Sequence, residues 1–328
     1  MLLALLTWQI KEPPRGLSEG LISSESKNPL KETFKELVGL TPFGLVGSDN
    51  FKKELSINII FTVLIFLASY YLYVLTGDFL QWTAFGIGVY VICNWIHGLK
   101  NRDPVAFLLI FKSKALLLGL LSFPFITFVT YALGAFGPSF YIRNFSMTAT
   151  EVGIIYGLIT VFGSMIGVIC GGILGDKLRE TYVNGKLYLI MASAVLTGVT
   201  AIGFIHSENL VASFTWKFVY HIASTAWLGC AASTVTELVL PRLRAVASAF
   251  FILMLSMIGL ALGPYLTGMV SDIYINSGLL PGPALKNAMT LTLVVLVLPF
   301  GLLAVACKYL KNDEAEIYEK ARSLGEEI

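Results

Sequence analysis

The sequence predicts an all-α membrane protein, and three observations support that fold class. Only 13% of its 328 residues are charged and 56% are hydrophobic, whereas soluble domains carry roughly 25% charged residues. The apolar residues fall in blocks of about 20, the length of helix that crosses a hydrocarbon core of ~30 Å. These blocks are continuously apolar rather than alternating, so helices satisfy the backbone polar groups inside the bilayer.

The apolar blocks predict eight spans, at 57–76, 79–98, 116–139, 150–175, 187–206, 210–239, 245–274 and 288–308. The first ten residues are apolar but too short to cross a bilayer, and they lack the basic start and cleavage site of a signal peptide. The predicted organisation is the end of a truncated transmembrane helix at 1–10, a linker at 11–55, an extra transmembrane hairpin at 56–99, a six-helix bundle at 100–310 and a tail at 311–328.

The basic residues predict the orientation in a cell or inner membrane. All of the 23 Lys and Arg residues except Arg143, Lys217 and Lys286 lie on one side of the predicted spans. Cytoplasmic loops carry such an excess of Lys and Arg. This side is therefore predicted to be cytoplasmic. Because the number of spans is even, the linker and the carboxyl-terminal tail lie on it together.

The span at 150–175 carries glycines at a strict four-residue spacing. Thr148 and Glu151 form an S/T-x-x-E capping box just before it. Glycines four residues apart share one helix face and let a neighbouring backbone approach closely; they are Gly163, Gly167, Gly171 and Gly175. Two interpretations stay open, namely tight helix packing alone or a surface on which a helix shifts between two states.

An acidic residue follows at the end of the same helix. Asp176 and Lys177 come directly after the glycine run, and an acidic group at a helix carboxyl end is unfavourable with the helix dipole. The sequence therefore predicts a partner for Asp176. A neighbouring helix amino terminus or a basic residue such as Arg242 or Arg244 would serve, and the alternative is a solvated loop charge.

The pattern Gly172-x-x-x-Asp176-Lys177 resembles the loop motif that joins the eighth and ninth helices in the major facilitator superfamily. The family motif continues with Gly and two basic residues, whereas this chain has Arg179 and Glu180. Further stretches resemble spinster-like transporters of that superfamily, covering most of 1–20 and 116–310; they are Lys11–Gly16, Phe136–Phe140 with Arg143 and Met147, Glu237–Ala249, Gly259–Pro264 and Ser271–Asp272.

The resemblance implies the carboxyl-terminal six-helix bundle of the major facilitator fold, plus an additional two-helix transmembrane hairpin. The spans at 57–76 and 79–98 lie where the family has only a linker, and as a pair they preserve the topology. The amino-terminal bundle of the family is missing except for the last turns of its sixth helix. Such transporters alternate access by rocking two bundles around a midplane site. The chain is thus interpreted as an incomplete gene model, a fragment or a half-transporter that needs a partner.

Ionisable groups inside membrane spans are costly and mark functional candidates. Lys217 and His221 lie one helical turn apart on the span at 210–239, with Ser224 on the next turn. If this cationic pair faces a cavity, it would bind a phosphate or carboxylate head group. In the alternative interpretation, Lys217 extends to the membrane interface and His221 is a hydrogen-bonded core residue.

Other candidates lie on neighbouring spans. Thr127, Tyr131 and Tyr156 are predicted to line an amphipathic substrate pocket, although such side chains in a membrane helix commonly pack or face lipid. Glu237 is predicted, together with Arg242 and Arg244, to form a charge cluster that latches one conformation; the alternative is a proton-coupling carboxylate. Gly172, Asp176 and Lys177 are predicted to take part in the same conformational gating.

The sequence thus predicts a secondary active transporter, or its carboxyl-terminal half. The resemblance implies an amphipathic or lipid-like organic solute, with proton coupling and alternating access. The expected partners are the lipid bilayer, the solute and a separate amino-terminal half; no nucleic acid, cofactor or metal is expected. One alternative is a membrane scaffold or degenerate fragment that does not transport. A lipid-modifying enzyme would need a catalytic cluster at a membrane face, and the sequence shows no such cluster.

Overall fold

A computed structural model describes residues 51–323 of the chain. This part is helical throughout, without a strand. The predicted helix end at 1–10 and nearly all of the linker lie outside the described residues. Ten helices follow one another: α1 Phe51–Thr76, α2 Phe79–Arg102, α3 Pro104–Lys112, α4 Lys114–Phe145, α5 Ala149–Thr181, α6 Gly185–His206, α7 Leu210–Glu237, α8 Pro241–Asn276, α9 Pro281–Ala306 and α10 Leu310–Ser323.

Seven helices of the described range are long and apolar enough to cross a membrane, namely α1, α2, α4, α5, α6, α8 and α9. The protein is therefore an integral, multi-pass membrane protein. The predicted eighth span is α7, a helix of 28 residues that is long enough but more polar than the other seven. Lys217, His221 and a series of hydroxyl side chains lower its hydropathy. Lys217 and His221 avoid lipid because they are buried where α7 lies between α5 and α6.

Helix ends are fixed by side-chain caps. The Thr148 hydroxyl accepts a hydrogen bond from the Glu151 backbone N–H, and the Glu151 carboxylate accepts one from the Thr148 N–H at 2.9 Å. This confirms the predicted capping box at the start of α5. Ser113 caps α4 in the same manner by accepting from the Leu116 N–H. Such caps satisfy backbone donors that a helix start leaves without intrahelical partners.

The four spaced glycines of α5 face α7. A Cβ at Gly171 would lie 2.0 Å from the Ala226 carbonyl oxygen, and one at Gly167 would lie 2.4 Å from that of Ile222. The predicted close approach of two backbones is confirmed. It allows the Thr225 hydroxyl to donate to the Ser164 carbonyl across the interface at 3.2 Å. The idea that α5 shifts along this face stays a prediction.

Helix α8 is irregular along its length. It begins with a 3₁₀ turn, continues as an α-helix to Met254, passes through a π-helical segment at Leu255–Leu260 and resumes as an α-helix that contains Pro264. Next to this segment, a Cβ at Gly263 would lie 2.4 Å from the Phe128 carbonyl oxygen of α4. Glycine therefore sets how closely α8 packs against α4.

The hairpin of α1 and α2 has a polar seam in its interior. The Asn58 amide donates to the Asn94 side-chain oxygen at 2.8 Å, and the Tyr90 hydroxyl donates to the Asn58 oxygen at 3.1 Å. Glu54 and His97 form an ion pair one turn further along. Interhelical hydrogen bonds are a main source of helix association in a bilayer. The seam therefore holds α1 against α2.

Helix α2 docks the hairpin on α8. The Gln81 amide donates to the Ala261 carbonyl oxygen at 3.1 Å, at the end of the π-helical segment. The Tyr265 hydroxyl donates to the Asp78 carboxylate at 2.6 Å. The hairpin therefore contacts α8 at the point where that helix departs from α-helical geometry.

Candidate functional site

Lys217 lies in the interior of the bundle formed by α4, α5, α6 and α7. Its side chain is completely buried. The ammonium nitrogen lies 4.2 Å from the ring centre of Phe204, 4.4 Å from that of Tyr220 and 5.0 Å from that of Tyr156. It has no hydrogen-bond partner among the described residues, and neither has the Tyr220 hydroxyl. Three aromatic rings thus enclose an amine that no acceptor of the described residues satisfies.

The surrounding helices supply no counter-charge at this depth. Neither α4 nor α6 contains an acidic residue. The acidic residues of α5 and α7 lie near the helix ends, at Glu151, Asp176, Glu180 and Glu237. An unpaired charge in a low-dielectric interior is strongly unfavourable. The site is therefore suited to an anion that enters from outside the bundle.

His221 lies one turn from Lys217 on the same face of α7, as the sequence predicted. Its Nε2 lies 3.1 Å from the Thr160 hydroxyl of α5, and its ring contacts the ring of Tyr156 edge to face. The alternative that Lys217 extends to the membrane interface is wrong, because α5 and α6 cover the face of α7 that carries it. The two basic residues are both buried, so neither faces an open cavity in this conformation.

Tyr156 closes the site on the side of α4. A Cβ at Gly137 would lie 2.3 Å from the Tyr156 hydroxyl oxygen, so only glycine leaves room for it. The hydroxyl donates weakly, at 3.4 Å, to the carbonyl oxygens of Leu133 and Gly134.

The other predicted substrate-binding residues lie apart from Lys217. Ser224 is buried one turn beyond His221, with its hydroxyl directed at the His221 carbonyl. The Thr127 hydroxyl donates to the Pro124 carbonyl of its own helix, where α8 packs closely. Tyr131 is 42% exposed on the surface of α4. The structure thus brings together Lys217, His221 and Tyr156, while Thr127 and Tyr131 lie elsewhere on α4.

A charge network occupies the end of the bundle where α5, α7 and α9 finish and α6 and α8 begin; we call it the basic end. Lys186 of α6 pairs with Glu237 of α7, and its ammonium lies 3.9 Å from the Asp176 carboxylate of α5. A basic residue therefore lies beside Asp176 as predicted, but it is Lys186 of the first turn of α6 and neither Arg242 nor Arg244, and the Asp176 side chain stays 76% exposed. Lys186 is preferred because α6 starts beside the end of α5, four residues after it.

Arg242 has a different partner. Its guanidinium donates to the Asp103 carboxylate at 2.6 Å, which joins α8 to the cap of α3. Partial burial raises the pKa of Asp103, but the guanidinium and the Ala106 N–H outweigh this effect and hold the pKa below its usual range. Arg244 donates to the Thr236 carbonyl at 3.2 Å. The predicted charge cluster of Glu237, Arg242 and Arg244 is thus distributed over three separate contacts.

Two predicted gating residues make no such contact. A Cβ at Gly172 would meet no atom within 4 Å, so this glycine faces open space. Lys177 is exposed. In contrast, α10 crosses the basic end and joins it, because Glu314 pairs with Arg179 and the Asp313 carboxylate accepts from the Ala115 N–H at 2.8 Å.

A small cavity of about 250 Å³ lies beneath α10 at the basic end. Two guanidinium groups and two carboxylates line it together with two apolar side chains; they are Arg179, Glu237, Val239, Arg244, Glu314 and Ile317. At least three of these four charges are engaged with protein partners, since Arg179 pairs with Glu314 and Glu237 pairs with Lys186. The cavity therefore belongs to the contacts that hold the helix ends together.

Comparison with known proteins establishes the relationship of this chain. An "MFS-type efflux pump" of Mycolicibacterium smegmatis is 30% identical over 201 residues, which cover 60% of this chain and 45% of the pump. "Protein spinster" of Drosophila melanogaster is 26% identical over 173 residues, which cover 49% of this chain and 28% of that protein. The chain is homologous to spinster-like proteins of the major facilitator superfamily. It spans less than half the length of these relatives, and no family model matches it.

Solved structures share the fold of this chain. A bacterial homologue of the human lysosomal transporter spinster, in an inward-facing and unoccupied conformation, matches with a TM-score of 0.51 and 21% identity over 74% of this chain and 59% of that one. The occupied, inward-facing form gives a TM-score of 0.50 at 22% identity, over 74% of this chain and 58% of that one. The predicted major facilitator fold is therefore confirmed.

Sequence reasoning missed part of the site around Lys217. Tyr220 lies three residues after Lys217 on α7, so helical spacing could have assigned it to the same face. Phe204 lies on α6, and no local pattern connects it to Lys217. Lys186 was counted only as a basic loop residue, although it begins α6 beside two carboxylates.

Proposed function

We propose that this chain forms the carboxyl-terminal bundle of a secondary active transporter. The proposed solute is amphipathic or lipid-like and carries an anionic group, and its movement is coupled to protons by alternating access. The observation that carries this proposal is the buried amine nitrogen of Lys217, which lacks both a hydrogen-bond acceptor and a carboxylate partner among the described residues. Ionisable residues in the membrane interior mark substrate and ion pathways.

The composition of the site supports an amphipathic anion. The ammonium and His221 offer donors to a negatively charged group, and charge-assisted hydrogen bonds of this kind are the stronger ones. The rings of Tyr156, Phe204 and Tyr220 provide an apolar surface beside the donors. The names of the relatives, an efflux pump and a lysosomal transporter, agree with transport rather than with an enzymatic activity.

The contacts at the basic end support alternating access. Ion pairs join α5, α6 and α7 to one another, a separate ion pair joins α8 to the cap of α3, and α10 bridges α4 to α5. Rocking of one bundle against another changes contacts at the helix ends while the midplane site stays in place. We therefore assign the gating function to Lys186, Asp176 and Glu237.

We propose that the basic end faces the cytoplasm. In a cysteine-free background, Lys177→Cys lies at the basic end, whereas Glu208→Cys and Asp78→Cys lie at the opposite end. A membrane-impermeant maleimide added to intact cells is expected to label the latter two, and to label Lys177→Cys only after permeabilisation. Labelling of Lys177→Cys in intact cells would reverse the orientation. A different accessibility of Asp78→Cys and Glu208→Cys would show that α1 and α2 do not cross the membrane.

Transport is tested with the complete chain in proteoliposomes. The probe is radiolabelled taurocholate, an amphipathic sulfonate that stays anionic at all assay pH values, and the cation tetraphenylphosphonium serves as the comparison. Taurocholate uptake is expected to increase with an imposed proton gradient, and Lys217→Met is expected to reduce it roughly tenfold or more, since loss of a buried charged contact costs about 2–5 kcal/mol.

The matched control is Lys286→Met, which removes a half-buried lysine of α9 at the opposite end from the basic end. This variant should transport like the wild type. Equal uptake by Lys217→Met and wild type would refute the binding role of Lys217. Absence of taurocholate uptake by a well-folded wild type, both alone and together with a separate amino-terminal half, would instead support the alternative of a non-transporting scaffold.

A further inference from the structure

The surroundings of Lys217 restrict the state of its amine. A protonated amine forms N–H donors that need acceptors, and none lies within hydrogen-bond distance among the described residues. Ring faces at 4.2 to 5.0 Å stabilise a cation only in part. Burial of an isolated charge is avoided by loss of the proton where no partner compensates it. The enclosed conformation therefore favours a neutral amine.

The groups that face Lys217 supply no negative charge that would favour protonation of its amine. From α4 and α5 the titratable side chains are Tyr141 and Tyr156, and from α7 they are Tyr220 and His221. Helix α6 contributes only the Phe204 ring. None of these groups is a carboxylate. A second positive charge on His221, one turn away, would repel a charge on Lys217, so the pair accommodates a single proton.

We infer that Lys217 is the residue that carries the coupled proton, and that it binds this proton together with the anionic group of the solute. The inference rests on the proposed function, since it names the coupling group of that same site. The neutral amine uses its nitrogen lone pair to form a new N–H bond, and the resulting ammonium pairs with the anion. On release, the N–H bond breaks, and proton and anion leave together.

The coupling follows from charge alone. An anion without a proton would enter a site without a cation, and a proton without an anion would create an unpaired buried ammonium. Each of these singly occupied states has an uncompensated charge, whereas the empty and doubly occupied states have none. Movement of a monovalent anion by this route is therefore electroneutral, with about one proton for each anion.

The Glu237 carboxylate at the basic end is less suited than Lys217 to carry the coupled proton. Glu237 was the alternative proton-coupling group, but it is paired with Lys186 and lies at the end of α7. Its charge is compensated by Lys186 in this conformation. Lys217, in contrast, gains its partner only when the anion arrives.

The inference is tested by proton uptake on binding. The complete chain in nanodiscs is mixed with taurocholate, or with octanesulfonate as a second permanent anion, in weakly buffered solution containing a pH indicator. The wild type is expected to take up about one proton per bound anion. Lys217→Arg keeps a positive charge that stays protonated, so it is expected to bind either anion without proton uptake. Lys217→Met is expected to bind roughly tenfold more weakly or worse, also without proton uptake.

Each outcome separates this inference from the proposed function. Anion binding by the wild type without proton uptake would overturn the inference and leave an anion transporter in place. Unchanged proton uptake in Lys217→Arg would also overturn the inference. If proton uptake were lost in His221→Asn but kept in Lys217→Arg, the proton would be assigned to His221. If the folded wild type bound neither sulfonate, both the inference and the proposed function would fail.

Discussion

Replacing Gly171 with alanine is expected to destabilise the protein markedly, whereas the same change at Gly172 is not. A methyl group at Gly171 would lie 2.0 Å from the Ala226 carbonyl oxygen and 2.6 Å from its Cα. Both are backbone atoms, so α5 and α7 would have to separate. Overpacking of this kind costs about 1–3 kcal/mol and sometimes more. Separation would also weaken the contact of the Cys230 thiol with the Gly171 carbonyl.

The neighbouring glycine is a matched control because a Cβ at Gly172 meets nothing within 4 Å. Alanine favours a helix over glycine by up to about 1 kcal/mol, so Gly172→Ala should be neutral or slightly stabilising. The measurement is the apparent melting temperature of the purified protein in detergent, followed by size-exclusion chromatography. Equal melting temperatures of the two variants would contradict the close helix contact.

Replacing Lys186 with methionine is expected to open the basic end. This change leaves Glu237 without its cation and Asp176 without its nearest partner. Removal of one member of a buried ion pair costs about 3–5 kcal/mol. Because the Glu237 side chain is 40% exposed, solvent reduces the effect here to about 1–2 kcal/mol.

The readout is the maleimide labelling rate of Cys230 in a variant without the other three cysteines. Cys230 is buried beside Gly175 at this end of α7, so the reagent reaches it only when the helices separate. Lys186→Met should increase the rate roughly tenfold, since 1.4 kcal/mol corresponds to a factor of ten. Lys177→Met removes an exposed lysine close by and should leave the rate unchanged. The same labelling rate in both variants would contradict the proposal that Lys186 holds the ends of α5 and α7 together.

The helices of this protein could be predicted from its sequence because hydropathy and caps are local properties. Residues 187–206 were predicted as a span and form the greater part of α6. The span at 116–139 was predicted too short, because the helix continues past Pro138 to Phe145. The start of α9 was placed seven residues late for a related reason, since its first turns contain Pro281 and several polar residues.

The partners of charged residues could not be predicted, because they depend on where separate helix ends meet. Asp176 required a cation, and the sequence offered several. Only the three-dimensional arrangement selects Lys186 over Arg242, which Asp103 engages instead. In the same way, the sequence placed Lys217 and His221 on one face, but their complete enclosure depends on α5 and α6.

The joint between the hairpin and the bundle has a consequence for variation among related chains. Gln81 donates to a main-chain oxygen at position 261, not to a side chain. Any residue that keeps the local helix geometry presents the same oxygen, so position 261 is free to change without a matching change at position 81. The pair Asp78 and Tyr265, in contrast, joins two side chains. Substitution of either one removes the bond unless the other changes with it.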